Sequence, residues 1–152
     1  MVKCQLWDTA GQENFAPLIK TYYKDIGAVI LVYDVNCRRS FERLNFWINE
    51  LNKHGPCDYP ISKILIGNKI DLDSRKVTRQ EAEQFAIQNG FLYDEVSVKE
   101  DINVDESLTN LVQETYKFKH ENKGFKSTEL NYLALKPKSK TIKDRDACCC
   151  IC

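Results

Sequence analysis

The stretch Gly27-Ala-Val-Ile-Leu-Val-Tyr-Asp34 constrains the fold more than any other part of the chain, because it is apolar without interruption until it ends on a carboxylate. A strand with one wet face would alternate apolar and polar residues. This one does not, so it is expected to be buried on both faces, at the centre of a parallel sheet. The run from Ala28 to Tyr33 is also the longest apolar stretch of the chain, far too short to cross a bilayer.

The flanking pattern supplies the rest of such a sheet. Met1 to Leu6 reads as a short apolar strand, and Phe15 to Lys24, broken by Pro17, as a mobile loop. After the central run, Ser40 is placed to cap a helix whose apolar positions Phe41, Leu44, Trp47, Ile48 and Leu51 follow three- and four-residue spacing, and Gly55-Pro56 ends it. Ile61 to Ile66 is a second buried strand. Thr78-Arg-Gln-Glu81 is a capping box for a helix containing Ala82, Phe85 and Ala86 and ending at Asn89-Gly90. Phe91 to Val96 is a third internal strand, and Asn103-Val-Asp-Glu106 opens a last helix through Leu108, Leu111, Val112 and Tyr116. Strands alternating with helices predict a doubly wound α/β fold with right-handed crossovers, whose ligands bind beyond the carboxyl ends of the strands. That edge gathers three loops, Asp8 to Gln12, Asn68 to Asp71 and Ser97 to Lys99.

Length and composition fit one soluble domain: 152 residues, 43% hydrophobic and 29% charged. No basic-then-apolar leader precedes the first strand, so a cytosolic protein is expected. The net charge of zero is unevenly spread, because from Phe118 onward eight basic residues face four acidic ones. That region lacks a sustained apolar period and reads as a flexible, mildly basic extension. Cys4, Cys37 and Cys57 are scattered singly, as buried small hydrophobes would be. Cys148, Cys149, Cys150 and Cys152 instead crowd the terminus, where lipid attachment competes with metal or disulfide roles.

In Trp7-Asp8-Thr9-Ala10-Gly11-Gln12-Glu13, Asp8 follows a strand and Gly11 lets the main chain approach a charged ligand and donate its N–H. Such a loop suits a phosphate and metal pair, and the Gln12 amide can position one water molecule. A plain strand-to-loop turn in which Asp8 and Thr9 cap the backbone is the alternative. In the second loop, Asp71 can accept two N–H bonds from the edge of guanine, where adenine offers no matching donors, while Asn68 and the Lys69 stem pack the ring. Ordinary turn chemistry explains an isolated N-K-x-D equally well.

Taken together, WDTAGQE, YYKDIGAVILVYDV, IGNKID, SVK and the cysteine-rich end resemble the Rab branch of the Ras-like small GTPases, from Val2 to about Phe118 and at the terminus. The resemblance implies a GTP/GDP-dependent switch in vesicle-mediated membrane traffic. By it, Asp8, Thr9, Ala10, Gly11 and Gln12 face the phosphates, with Asp8 holding Mg2+ through water, the Gly11 N–H on the γ-phosphate and Gln12 orienting the attacking water. Asn68, Lys69 and Asp71 read guanine, Ser97 and Lys99 brace that loop, and the Val98 N–H meets the base oxygen. Trp7 and Tyr22 face partner proteins. Cys150 and Cys152 take geranylgeranyl groups, two because one chain anchors only marginally. The implied division is a partial GTPase domain over 1–118, a linker over 119–147 and a prenylation tail over 148–152. Implied partners are guanine nucleotide, membrane, prenylation escort and transferase, exchange and GTPase-activating proteins, and effectors, with no nucleic acid. The implied location is the cytoplasmic face of intracellular membranes, in exchange with cytosol.

Departures from the family pattern are Asn14 after GQE, Lys24-Asp25-Ile26 in place of Arg-Gly-Ala, and Val98 in place of Ala. More consequential, no G-x-x-x-x-G-K-[ST] occurs in the chain, and the family carries it before the point where this sequence begins. The expectation is therefore an N-terminally truncated domain lacking the first two strands and first helix. Its sheet should be open where the absent strand would lie, and GTP binding and hydrolysis are expected only with the missing segment in place. The alternative function is a non-hydrolysing, lipid-anchored module that competes for Rab partners or prenylation machinery.

Overall fold

The computed structural model describes residues 4–9, 11, 23, 26–56 and 61–121, with side chains through 118. The uninterrupted apolar run forms β1 (Ala28–Asp34), and β2 (Ser62–Asn68) and β3 (Leu92–Glu95) complete a parallel sheet in the order β1-β2-β3. Ala28 lies opposite Ser62 and Asp34 opposite Asn68, while Ile64 lies opposite Leu92 and Gly67 opposite Glu95. This register brings the carboxyl ends of all three strands to one edge.

Two short helices, α1 (Arg38–Glu42) and α2 (Leu44–His54), follow β1; α3 (Arg79–Asn89) joins β2 to β3; and α4 (Val104–Glu121) follows β3. Because side chains alternate along a strand, β1 divides its residues between two cores. Val29, Leu31 and Tyr33 pack with Phe41, Leu44, Trp47, Ile48 and Leu51 of α1 and α2 and with Ala82 and Ala86 of α3. On the opposite face, Ile30 joins Ile64, Ile66 and Val96 beneath Leu111 of α4, with Val104 and Leu108 packed alongside. Helices on both faces explain why the central run needs no polar side. Trp47, 1% exposed, is the largest fully buried side chain, and truncating such a ring to Ala costs about 3–5 kcal/mol.

The helix ends follow local chemistry. Thr78 accepts from the Glu81 N–H at 3.2 Å, as a cap should. The Glu81 carboxylate does not complete the box but takes Arg38 of α1 at 2.6 Å. Gly90, at φ 70°, ends α3 in the left-handed conformation that side chains disfavour, and Lys63 of β2 donates to the neighbouring Asn89 carbonyl. Asn103 stands just before α4, but its amide donates to the Glu95 carbonyl and so ties the helix start to β3.

Several expectations are corrected. The helix after β1 is broken at Arg43, and Ser40 lies inside α1 rather than at its cap. Its hydroxyl donates to the Cys37 carbonyl at 2.7 Å and accepts from the Asp34 N–H at 3.0 Å, which pins the strand-to-helix turn. Cys4 and Cys37 are exposed, not buried, since one lies in an irregular segment and the other in that turn. The strand expected over Met1 to Leu6 is absent from its described part: residues 4–6 are irregular and exposed. A strand persists only when its N–H and C=O groups find a ladder, and residues 4–6 are not paired with the sheet. Of the expected mobile loop only Tyr23 is described; its ring, 2% exposed, packs into the larger core, and burial followed by the nearby Glu50 charge pushes its pKa up to about 12. Cys57, Cys148, Cys149, Cys150 and Cys152 lie outside the described residues, as does the chain beyond 121.

Candidate functional site

Two loops meet where β2 and β3 end. Asn68 closes β2, and its side-chain oxygen accepts from the Lys69 N–H at 2.7 Å and from the Val98 N–H at 3.3 Å, linking the loops directly. Lys69 adopts φ 67°, a left-handed backbone that a side chain normally avoids. The chain then turns so that the Asp71 carboxylate lies beside the β3 loop. There the Ser97 hydroxyl donates to Asp71 Oδ1 at 2.7 Å, and the Lys99 ammonium stands 3.7 Å from Oδ2. Ser97 is fully buried and holds a tight turn, exchanging two backbone hydrogen bonds with Ile102 and accepting from the Glu100 N–H. The Ser97 bond, aided by Lys99 and opposed by desolvation, holds the Asp71 carboxyl below its usual range. Asp71 is therefore an ionised acceptor in a fixed orientation at neutral pH.

The third wall comes from β1. Asp34, its last residue, accepts from the Asn36 N–H at 2.8 Å on Oδ1 and pairs through Oδ2 with the Lys69 ammonium at 2.8 Å. Asn36 in turn donates its amide to the Lys69 carbonyl at 2.9 Å. Burial alone would raise the Asp34 pKa, but Lys69 and Asn36 outweigh it and lower the pKa overall.

Behind these loops lies a polar network. Arg75 donates through both terminal nitrogens to Glu95, at 2.8 and 3.0 Å, and through one of them to the Val77 carbonyl. Tyr93 donates to Glu95 at 2.7 Å and contacts the Tyr33 hydroxyl at 3.0 Å. Burial is the largest effect on both tyrosines, raising the Tyr33 pKa to about 12 and the Tyr93 pKa further. Arg75 lies in the loop carrying Asp71, and Glu95 precedes Ser97 on β3, so this ion pair clamps one loop to the strand that feeds the other.

Sequence reasoning assigned roles at this edge to Asn68, Lys69, Asp71, Ser97, Val98 and Lys99, and the structure brings all six together. Val98 is exposed and presents its backbone, not its side chain, to Asn68. From the first loop, Asp8 is exposed, Thr9 buried and Gly11 partly buried, with Trp7 exposed beside them. Ala10, Gln12 and Tyr22 lie outside the described residues. Asp34, Asn36, Arg75 and Glu95 were not anticipated. The carboxylate closing the central run was visible, but its partner stands 35 residues away along the chain.

An ionised carboxylate with two acceptor oxygens, backed by an amide and a lysine stem, fits a planar ring bearing adjacent N–H donors. For a divalent cation the described residues offer much less. Among them no three His, Cys, Asp or Glu side chains form a metal-holding group, and Asp8 is an exposed carboxylate, which by itself could serve only as an outer contact to a cation whose inner ligands come from elsewhere.

Residues 1–117 match the family model described as the Ras family. The chain is also similar to the Ras-related protein Rab-2B of Dictyostelium discoideum, 40% identical over 131 residues, a match covering 86% of this chain and 64% of that protein. The chain thus spans somewhat less than two thirds of the length of that relative. The parallel sheet, its helices on both faces, the loops meeting at its carboxyl edge and the match over residues 1–117 lead to one conclusion: the chain belongs to the Ras family.

Proposed function

We propose that this chain carries the guanine-reading half of a Rab-like small GTPase, a GTP/GDP-dependent switch in vesicle-mediated membrane traffic. The observation that carries the reading is the Asp71 carboxylate, ionised and aimed by Ser97 and Lys99 beside Asn68 and Lys69. Guanine presents a ring N–H and an exocyclic amine side by side, which one carboxylate accepts together. Adenine presents no such pair, and a site left with buried acceptors unpaired rejects it strongly. Ser97 and Lys99 keep Asp71 in place, and the Val98 N–H, which donates to Asn68, is the donor assigned to the base oxygen.

The wider role extends this reading by the resemblance to the Rab branch of the Ras-like small GTPases. It includes phosphates and Mg2+ held near Asp8 to Gln12, with Gln12 orienting the hydrolytic water when the phosphate-binding segment is present. It also includes geranylgeranylation at Cys150 and Cys152, cycling between the cytoplasmic face of membranes and cytosol, and exchange, activating, escort and effector proteins as partners. Among the described helices none is long and apolar enough to cross a membrane.

The test is base discrimination by the 152-residue chain joined behind a Ras-family phosphate-binding segment, since nucleotide binding is expected only with that segment in place, measured as dissociation constants for GDP, ADP and XDP. The wild type should prefer GDP. Asp71→Asn replaces two acceptors with one donor and one acceptor, matching the 2-oxo edge of xanthine, so GDP binding should fall about 100-fold while XDP binding improves. Equal affinity of the wild type for GDP and ADP would sink the reading.

A further inference from the structure

Lys69 is the least ordinary residue at the candidate site. Its backbone occupies the left-handed region at φ 67°, which costs a non-glycine residue about 1 kcal/mol or more. Such a conformation persists only where its surroundings determine it, and here they do so from three directions. The Asn68 side chain accepts its N–H at 2.7 Å, the Asn36 amide donates to its carbonyl at 2.9 Å, and Asp34 pairs with its ammonium at 2.8 Å. Asn68 is its immediate neighbour, so that contact is local. Asp34 and Asn36 come from the far side of the β1–β2 pair, and one is linked to the other: Asp34 Oδ1 accepts both the backbone and the side-chain N–H of Asn36. One carboxylate therefore orients the amide that holds the Lys69 main chain and anchors the ammonium at the end of its side chain.

The consequence concerns the stem between those fixed ends. A lysine tethered at one end only samples many rotamers, and freezing them costs binding free energy. Held at the backbone by Asn36 and at the ammonium by Asp34, its four methylenes are restrained between two fixed ends and offer an apolar surface two residues before Asp71. A planar base entering to reach Asp71 would lie against a surface already in place.

We propose that Asp34 and Asn36 are positioning residues for guanine-nucleotide binding, acting through Lys69 by holding its left-handed backbone and stretched side chain ready for the base. This inference rests on the guanine-reading assignment of Asn68 to Asp71. Asp34 touches no nucleotide in it; its effect passes entirely through Lys69.

The experiment is a double-mutant cycle on the chain joined to that phosphate-binding segment, read as GDP and ADP dissociation constants. Asp34→Asn keeps an oxygen for the Asn36 N–H while removing the charge that holds Lys69, and should weaken GDP binding about threefold. Asn36→Ala should weaken it about tenfold. In a Lys69→Met background, which has no ammonium to anchor, Asp34→Asn should have no further effect, a dependence that a general loss of stability would not show. Far-UV circular dichroism confirms that each variant is folded, and Asn36→Ser serves where Asn36→Ala is not. Acylation of the Lys69 amine, followed by peptide mass spectrometry, should quicken in Asp34→Asn. A wild type that prefers GDP while Asp34→Asn and Asn36→Ala bind it equally well overturns this inference alone. So does an Asp34→Asn effect that persists undiminished in Lys69→Met. A wild type that binds GDP and ADP alike overturns the guanine reading, and this inference with it.

Discussion

Replacing Arg75 with Met tests whether the clamp behind the two loops holds the fold as its geometry implies. The substitution removes both guanidinium bonds to Glu95, at 2.8 and 3.0 Å, and leaves the carboxylate only the Tyr93 hydroxyl at 2.7 Å. Hydrogen bonds to charged groups are worth about 1.5–3 kcal/mol each, and stranding one partner of a fully buried ion pair costs about 3–5 kcal/mol. The Arg75 side chain is 34% exposed against 9% for Glu95, so water screens one side of the pair, and the expected loss is nearer about 2 kcal/mol. For a domain of this size that lowers Tm by about 10 °C. The loss should depend on pH. Burial raises the Glu95 pKa, but Arg75 and Tyr93 outweigh it and leave the folded value below the ordinary one. In the wild type the stabilisation is therefore complete above about pH 4.3, the unfolded-state value, and is lost as pH falls through the folded value. In Arg75→Met burial dominates and the folded pKa rises above the unfolded one, so acidification relieves the penalty. Thermal melts followed by circular dichroism at pH 7 and pH 4 should show a wide gap between variant and wild type at pH 7 and a narrower one at pH 4. A gap below about 2 °C at pH 7, or one unchanged at pH 4, would refute the argument.

Three further outcomes follow from single contacts. A Cβ on Gly67 would lie 2.9 Å from both the Tyr33 hydroxyl and Val35 Cγ1, so Gly67→Ala should cost about 1–3 kcal/mol in urea denaturation; an unchanged midpoint would contradict the packing. Thr78→Ala removes the cap of α3 and should lower stability by about 1 kcal/mol, read from the same titration. Ser97→Ala deletes the bond that chiefly lowers the Asp71 pKa. GDP affinity at pH 7 should fall about tenfold, and the acid limb of binding should move to higher pH, because the carboxylate protonates sooner; a pH profile matching the wild type would rule out that role for Ser97.

The parts of the fold legible in the sequence were those set by local pattern. An unbroken apolar run, a Thr with Glu three residues on, and a glycine after the last helical turn each reflect one element's own chemistry, and β1, α3 and its cap stand where that chemistry puts them. Ser40 misled because a serine hydroxyl satisfies a strand-end amide as readily as a helix start, and only the path of the turn decides which it does. Residues 4–6, the described part of the strand expected over Met1 to Leu6, are irregular for a different reason, since an apolar segment is a strand only beside a partner. At the candidate site the loops following β2 and β3 were legible because their residues sit together in sequence. Lys69 with Asp34, and Arg75 with Glu95, were not, because those pairs exist only once strand order and register bring distant residues to one edge.

The two tryptophans of the chain occupy opposite environments, Trp7 at 47% exposure beside Asp8 and Trp47 at 1% in the core, its indole nitrogen without a hydrogen-bond partner. Their emission should accordingly separate into two channels, a long-wavelength signal open to iodide quenching and a short-wavelength signal sheltered from it. A partner or nucleotide that reorganises the first loop would change the quenchable channel alone, whereas unfolding would red-shift the sheltered one, so native fluorescence can distinguish a binding event from a loss of structure without any introduced label.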